Sequence, residues 1–380
     1  MSPTHQIDDP VTAGPVPSTI DHAGDLITVA RAWPRARRDD AEVVLAEGPD
    51  QQGRTRAIEL RLVPADGLGW RIARTRVAPY GMDPKLPDLA TVADGGTVIV
   101  HRYGKRAVVR LADRFVKVVR PDDGPAIAAA ARQGQQIAAR AGFDAPEVLE
   151  SSRGAASFSV LPGRSLHELG GVVTHQQWSR WWQRWADQWV TLARGTGAEG
   201  WLGRSHADDL PDDLVRDDLP RHTAHDEVVN LRRWLDRVAR LEALPTELSQ
   251  LVTTRAAQVT SNLVTQEPQE LVISHRDLHD KQLLADGDSL GVLDFDTVAL
   301  AEPALDLANL WVHALLRVDQ GLWSRSHGEV VQQAVRTVAR ELEVTPERFA
   351  TYAEATRLRL ACLYAFRPRH RRLALAWAAG

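Results

Sequence analysis

Leu271-Val-Ile-Ser-His-Arg-Asp-Leu-His-Asp-Lys-Gln-Leu-Leu284 and, a few residues on, Gly291-Val-Leu-Asp-Phe-Asp296 decide the reading of this chain. An apolar strand runs into a polar loop, and a second short apolar strand leaves it. A third apolar strand then ends in two acids. The turn Ala285-Asp-Gly-Asp-Ser289 between the last two strands predicts a hairpin. Such a hairpin brings Asp277, Gln282 and Asp294 to one end.

Outward from this centre the pattern divides. Upstream, Thr97–Arg102, Ala107–Leu111 and Phe115–Val119 read as three strands with short turns. An Ala-rich helix follows at Pro125–Ala141, then strands at Glu147–Ser151 and Ala156–Leu161, before Pro162-Gly163 breaks the pattern. Beyond Gly163 the chain is mostly helical. Thr174-x-x-Gln177 reads as a capping box, and Trp178, Trp181, Trp182, Trp185 and Trp189 repeat at helical spacing as a core stripe. Further helices are expected at about 226–241, 247–259, 305–317, 329–342 and 346–366, and paired aspartates at 208–218 as a solvated acidic loop. Residues 1–20 read as a loose tail, with a short helix around Asp25–Trp33 and strands between Ala41 and Val77.

Composition sets limits. The chain has 380 residues and a formal net charge of −4, so no general attraction to nucleic acid or an anionic membrane is implied. No apolar run approaches the roughly 18 residues that span a bilayer. Met1 to Pro17 has neither the basic start nor the apolar stretch of a signal peptide, and Cys362 is the one cysteine. A cytoplasmic protein is the expectation, with Cys362 as core packing. Lysine occurs only at Lys85, Lys105, Lys117 and Lys281, against 46 basic residues in all. Positions that keep lysine are candidates for sites needing a compact ammonium rather than a planar fork.

His275-Arg-Asp-Leu-x-x-x-Gln282 resembles the kinase catalytic loop, with Gln where Asn is usual, and Asp294-Phe-Asp296 resembles the metal-binding triplet. The run from Asp294 to Pro303-Ala-Leu-Asp-Leu-Ala308 is similar to the aminoglycoside phosphotransferase and choline kinase superfamily. The resemblance covers roughly residues 97 to 380. It implies an α+β, two-lobed protein-kinase-like fold: a small antiparallel β lobe with one helix, a larger mainly helical lobe, and an N-terminal extension. The expected divisions are 1–95 (a disordered tail, then a small α/β cap), 96–163 as the nucleotide-binding small lobe and 164–380 as the large lobe with the catalytic loop and acceptor site.

The resemblance further implies ATP and Mg²⁺ as cofactors and transfer of the γ-phosphoryl group to a hydroxyl of a small molecule. Asp277 is then the catalytic base, with Gln282, Asp294 and Asp296 toward the metal. Lys117 contacts the phosphates, Lys105 and Arg106 lie over them, and Ser159 to Leu161 is the hinge that binds adenine. Lys281 is assigned to the nucleotide, and His275 and Asp306 to scaffolding. These types suit the chemistry. A carboxylate takes the hydroxyl proton, oxygen ligands hold Mg²⁺, and cations brace the phosphates. An aminoglycoside or amino sugar is the expected acceptor. A maltokinase-like sugar kinase is the alternative, and a nucleotide-binding regulatory pseudokinase and a metal-dependent hydrolase are further readings. Pro303 follows Asp294 only nine positions on, which leaves no room for a protein kinase's activation loop. The chain departs from the family at Gln282, in the lack of an acid on the helix Pro125–Ala141 to pair with Lys117, and in the lack of a G-x-G-x-x-G loop between its first two small-lobe strands, where only Gly104 stands.

Overall fold

The computed structural model describes residues 14–37, 41–65, 69–195 and 219–380. It begins with β1 (Thr19–His22) and β2 (Asp25–Thr28), a tight hairpin, then an antiparallel meander of β3 (Arg31–Pro34), β4 (Glu42–Pro49), β5 (Thr55–Pro64) and β6 (Trp70–Val77). The helix expected at Asp25–Trp33 is therefore two strands. Apolar and polar residues alternate there, with Ile27 and Ala32 fully buried, and strand pairing outweighs the weak local preference. The described end of the expected loose tail, from Gly14, is packed instead. Val16 and Ile20 are buried in the main core, and residues 1–13 lie outside the described part.

A short helix, α1 (Leu89–Asp94), leads into the small lobe. This lobe holds β7 (Thr97–Arg102), β8 (Arg106–Arg110), β9 (Arg114–Val119), α2 (Gly124–Arg140), β10 (Val148–Ser151) and β11 (Ala155–Ser159). The strands form one antiparallel sheet in the order β10-β11-β9-β8-β7. Val98, Ala107, Val109, Val116 and Val118 fill its core with Leu86 and Leu89. Alternation in β9 sends Val116 and Val118 into that core and Lys117 to the opposite face, which looks into the cleft.

The large lobe follows. Its elements are β12 (Arg164–Ser165), α3 (Leu166–Leu169), α4 (His175–Arg194), β13 (Arg221–His222), α5 (Ala224–Arg240) and α6 (Thr246–Thr265). After them come β14 (Val272–Ser274), the hairpin β15 (Leu283–Asp286) and β16 (Ser289–Val292), a 3₁₀ turn at Phe295–Thr297, and β17 (Ala299–Ala301). Four helices close it: α7 (Ala304–Asp319), α8 (Arg325–Glu341), α9 (Pro346–Tyr364) and α10 (Arg371–Ala379). The Thr174 hydroxyl accepts from Gln177 N at the start of α4, and the tryptophan stripe of that helix is core, each ring at most 7% exposed. Cys362 is buried as well, its thiol pushed up to about 12 by burial. No helix among the described residues is long and apolar enough to cross a membrane. The acidic loop expected at 208–218 lies outside the described residues.

The N-terminal sheet touches both lobes. β4 and β5 lie against β7 of the small lobe. Its other contacts are with the large lobe: Val44, Ala46, Ile58, Leu60 and Leu62 share one apolar core with Val228, Leu231, Tyr352, Phe366 and Trp377. Sequence pattern sets this sheet apart as an extension, but its core residues belong to the large lobe's own core.

Candidate active site

β14 ends at Ser274 and the backbone reverses at once, with Arg276 at φ 68°. A left-handed arginine is strained, and buried Asp306 compensates for it. Its carboxylate accepts from His275 N at 2.6 Å and from Arg276 N at 2.8 Å. Burial pushes the Asp306 carboxyl up despite these two donors. His275 sits between two backbone groups. Its Nε2 faces Leu293 O at 2.7 Å, and its Nδ1 faces Asp277 N at 3.3 Å. That arrangement suits a neutral ring with hydrogen on Nε2, so both nitrogens are engaged in holding the loop. Asp277 itself is exposed at the loop's crest.

The rest of the loop is anchored from below. Leu278 is fully buried, and its carbonyl accepts from Asn309 Nδ2 at 2.8 Å. Asp280 accepts from Arg317 at 2.8 and 3.0 Å and is 2.6 Å from His167 Nδ1. Burial alone would raise its carboxyl, but His167 and Arg317 reverse that and hold it far below the usual carboxylate range.

The second half of the site is stitched to the first. Leu293 N donates to Gln282 O at 2.8 Å, Thr297 Oγ1 donates to His275 O at 3.0 Å, and Arg276 Nη1 donates to Thr297 O at 3.3 Å. Gln282 and Asp277 therefore stand beside the turn that carries Asp294 and Asp296. Asp294 is left-handed at φ 62°, which turns its side chain back toward β9. There Lys117 Nζ lies 3.1 Å from Asp294 Oδ1 and bonds Asp296 Oδ2 as well, while Arg106 Nη1 is 3.9 Å from Asp296. Burial works against both carboxylates; Lys117 and Arg106 hold Asp294 below its ordinary value, whereas burial and the Asp294 charge push Asp296 up.

This cluster answers the question of Lys117's partner. Helix α2 carries no acid, and Gly134 on it packs so close to Phe295 that a Cβ there would stand 2.2 Å from the Phe295 Cβ. The counter-charge comes instead from Asp296, two residues beyond Asp294. The second aspartate of Asp-Phe-Asp is the available sequence signal, and by resemblance it reads only as a metal ligand.

The remaining site candidates lie elsewhere. Lys105 is surrounded by Arg35, Arg102, Arg120 and Lys85, and burial together with these charges lowers its ammonium. Its turn is tied down by Gly104, whose N donates to Asp83 Oδ2 at 2.6 Å and whose O accepts from Arg120 at 2.8 Å. Burial and then the Arg317 charge, with smaller repulsion from Arg31 and Arg367, push the Lys281 ammonium down to about 8. Ser159 is doubly bonded to Glu147: its N donates to Glu147 O and its Oγ accepts from Glu147 N, both at 2.9 Å. With Leu161 it borders a cavity of ≈ 470 Å³ whose walls also include Asp144, Asp286 and Leu290, but not Lys117, Asp277 or Asp294.

The donor set fits Mg²⁺ in chemistry: two carboxylates and an amide are hard oxygen ligands. Among the described residues no group of three or more His, Cys, Asp and Glu could hold a metal alone. Mg²⁺ is commonly held by one or two carboxylates completed by substrate phosphates and water, and two carboxylates are what this turn offers.

The model of the phosphotransferase enzyme family matches residues 96–365. A search of curated proteins finds no match. Among solved structures the chain is similar to an aminoglycoside phosphotransferase from Streptomyces rimosus, at 19% identity over 73% of this chain and 99% of that one, with TM-score 0.46. It is also similar to a choline/ethanolamine kinase family protein from Mesorhizobium loti (18% identity, 77% and 87% of the two chains, TM-score 0.44). A glucosamine kinase is similar at 16% identity over 91% of this chain and 92% of that one, with TM-score 0.46.

Proposed function

Because the chain belongs to the phosphotransferase enzyme family, we propose that it moves the γ-phosphoryl group of ATP to a hydroxyl of a sugar-like small molecule, with Asp277 as base. The observation that carries this reading is the junction of Lys117, Asp294 and Asp296 beside a loop that presents Asp277 to solvent.

The residues divide the work. Asp277 accepts the acceptor's proton; its crest position, braced by His275 and Asp306, aims the carboxylate without burying it. Lys117 and Arg106 supply fixed positive charge for the nucleotide's phosphates, preorganised on neighbouring strands β9 and β8. Asp294, Asp296 and the amide of Gln282 would hold Mg²⁺. The ion would supply neutralisation of the β- and γ-phosphate oxygens. The Lys117 ammonium bonds both carboxylates, so nucleotide binding requires Lys117 to exchange carboxylate for phosphate contacts. The backbone from Ser159 to Leu161 is assigned to the adenine edge.

Of the acceptor classes, the sequence resemblance puts an aminoglycoside or amino sugar first. A sugar without amino groups is the second class, and turnover against a panel of both separates the two. The test is Asp277→Asn assayed for ATP consumption against hexoses, hexosamines, maltose, choline and aminoglycosides with Mg²⁺. Turnover should vanish while nucleotide affinity stays. Unchanged turnover would remove Asp277 from the mechanism, and ATP hydrolysis without any acceptor would favour a hydrolase.

A further inference from the structure

The turn Tyr103-Gly104-Lys105 between β7 and β8 stands beside the acid pair: Arg106, the next residue, comes within 3.9 Å of Asp296. In this turn only Gly104 takes a left-handed backbone, at φ 60°. Both polar backbone atoms of Gly104 are engaged. Its N donates to Asp83 Oδ2 at 2.6 Å, and its O accepts from Arg120 Nε at 3.0 Å and Nη2 at 2.8 Å. The stem of Lys85 passes over the same residue, so that a Cβ on Gly104 would stand 3.0 Å from Lys85 Cδ. A glycine-rich phosphate loop offers free N–H groups to its ligand. Here the Gly104 N–H is satisfied by a carboxylate, so the turn serves phosphate through the side chains of Lys105 and Arg106, and those must be held in place.

Asp83 lies in the link between the N-terminal sheet and α1, a stretch to which the sequence assigns no chemistry. Its carboxylate is buried, which is costly unless its oxygens are hydrogen-bonded. Oδ2 also accepts from His101 Nε2 at 3.1 Å, and Oδ1 accepts from Lys85 N at 2.9 Å. Burial would raise the Asp83 carboxyl, but His101, Gly104 and Lys85 reverse that and hold it below its ordinary value. The end of β7 is gripped a second time. His101 N donates to Glu47 Oε2 at 3.0 Å, and Glu47, buried on β4, is ion-paired with Arg31 of β3. Arg102, whose carbonyl closes the turn by accepting from Lys105 N at 2.9 Å, lies 4.6 Å from the ring of Trp33 on β3. These two strands are themselves seated on the large lobe, because Ala32, Val44 and Ala46 share its core.

We propose that Asp83 is a positioning residue for the nucleotide's phosphates: with Glu47 and Trp33 it makes the N-terminal sheet and its link a latch that holds the Tyr103–Lys105 turn beside the acid pair. The proposal rests on the phosphotransferase reading, which puts the phosphates at Lys117 and Arg106. It gives a role to residues that precede the stretch matched by the family, 96–365. Asp83 acts through Gly104 and His101 rather than on the ligand. The latch also accounts for the missing glycines. A turn held from outside needs one left-handed residue, not the conformational freedom of a glycine-rich loop.

Asp83→Asn keeps the size of the side chain but sets an amide NH₂ against donors that now face a carboxylate. Calorimetry on the full chain with Mg²⁺, titrated with a non-hydrolysable ATP analogue and separately with adenosine, reads the phosphate contribution as a ratio of affinities. The analogue should bind Asp83→Asn about tenfold more weakly, with adenosine affinity within about twofold of the unaltered chain. Amide hydrogen exchange should quicken at residues 101–106 and stay unchanged in the loop 275–282. Trp33→Leu, a half-buried change on β3, loosens the second hold and should move the same ratio about threefold. Equal losses for the two ligands would make Asp83 a folding residue alone and overturn the proposal. So would an unchanged ratio in both variants, or exchange at 101–106 as slow as in the unaltered chain. If Asp83→Asn does not fold, Trp33→Leu decides, and an unchanged ratio there overturns the proposal. The phosphotransferase reading fails on different grounds: an unaltered chain that binds the ATP analogue no better than adenosine, or full turnover by Asp277→Asn.

Discussion

Gly134→Ala is a one-methyl change more than 140 residues from the proposed base Asp277 in sequence, and it should cost about a hundredfold in turnover. The added Cβ would lie 2.2, 2.3 and 2.7 Å from Cβ, Cγ and Cδ2 of Phe295, where ordinary contact begins at 3.4 Å. Either α2 or the Phe295 turn must therefore retreat by about 1.2 Å. Phe295 is buried and the turn is short, so the movement passes to its neighbours Asp294 and Asp296. A displacement of about 1 Å in a positioning element costs roughly 10²-fold, or about 2.7 kcal/mol of transition-state stabilisation. Stability changes far less. Alanine is favoured over glycine inside a helix by about 1 kcal/mol, against about 1–3 kcal/mol for overpacking. The assays are steady-state phosphoryl transfer, calorimetric affinity for Mg²⁺ and ATP analogue, and urea unfolding on the same samples. Turnover and nucleotide affinity should fall while the unfolding midpoint moves little. A variant with full activity would refute the claim that contact between α2 and Phe295 sets the acid pair.

Two other outcomes follow from groups outside that contact. Arg348 is 1% exposed and bonds Glu302 through Nε at 2.6 Å and through Nη2 at 2.5 Å; Arg348→Met should cost about 3–5 kcal/mol in urea unfolding by leaving that carboxylate buried and unpaired. Adding Glu302→Gln should recover part of the loss, and no recovery would show that packing rather than charge dominates. Lys281 titrates at about 8 in the folded chain and nearer 10.5 in the unfolded one. Between those values the native chain holds fewer protons than the unfolded one, so this group makes stability rise with pH across that window, a slope that urea unfolding from about pH 7 to 10 should lose in Lys281→Gln.

The strand, loop and hairpin that carry the candidate site were legible because their signals are local. Strand, loop and hairpin lie within 26 residues, between Leu271 and Asp296, and the loop's residue types are those the chemistry needs. The small lobe was legible through short turns and alternating β-branched runs. What failed needed information from far along the chain. Asp25–Trp33 is too short for its period to decide between helix and strand, and its pairing with β4 settles it. Helix α10 went unread because Pro368 and a run of arginines resemble a tail; its burial comes from Trp377 and Ala378 packing into a core that local pattern does not reveal. Lys117's counter-charge was sought on α2 by analogy and found on the Asp-Phe-Asp turn, 179 residues on.

The core shared by the N-terminal sheet and the last helices has a bearing on how the chain reaches this state. Ile58 and Leu60 share their core with Phe366 and Trp377, about 300 residues later in the chain. During synthesis the apolar face of β4 and β5 exists long before the helices that cover it. Such non-local closure raises contact order and slows folding, and a strand face left open meanwhile is prone to association. The large lobe likewise cannot complete its interior from residues 164–380 alone, so separately expressed lobes should be poorly soluble, and refolding of the whole chain should be slow and concentration-dependent in yield.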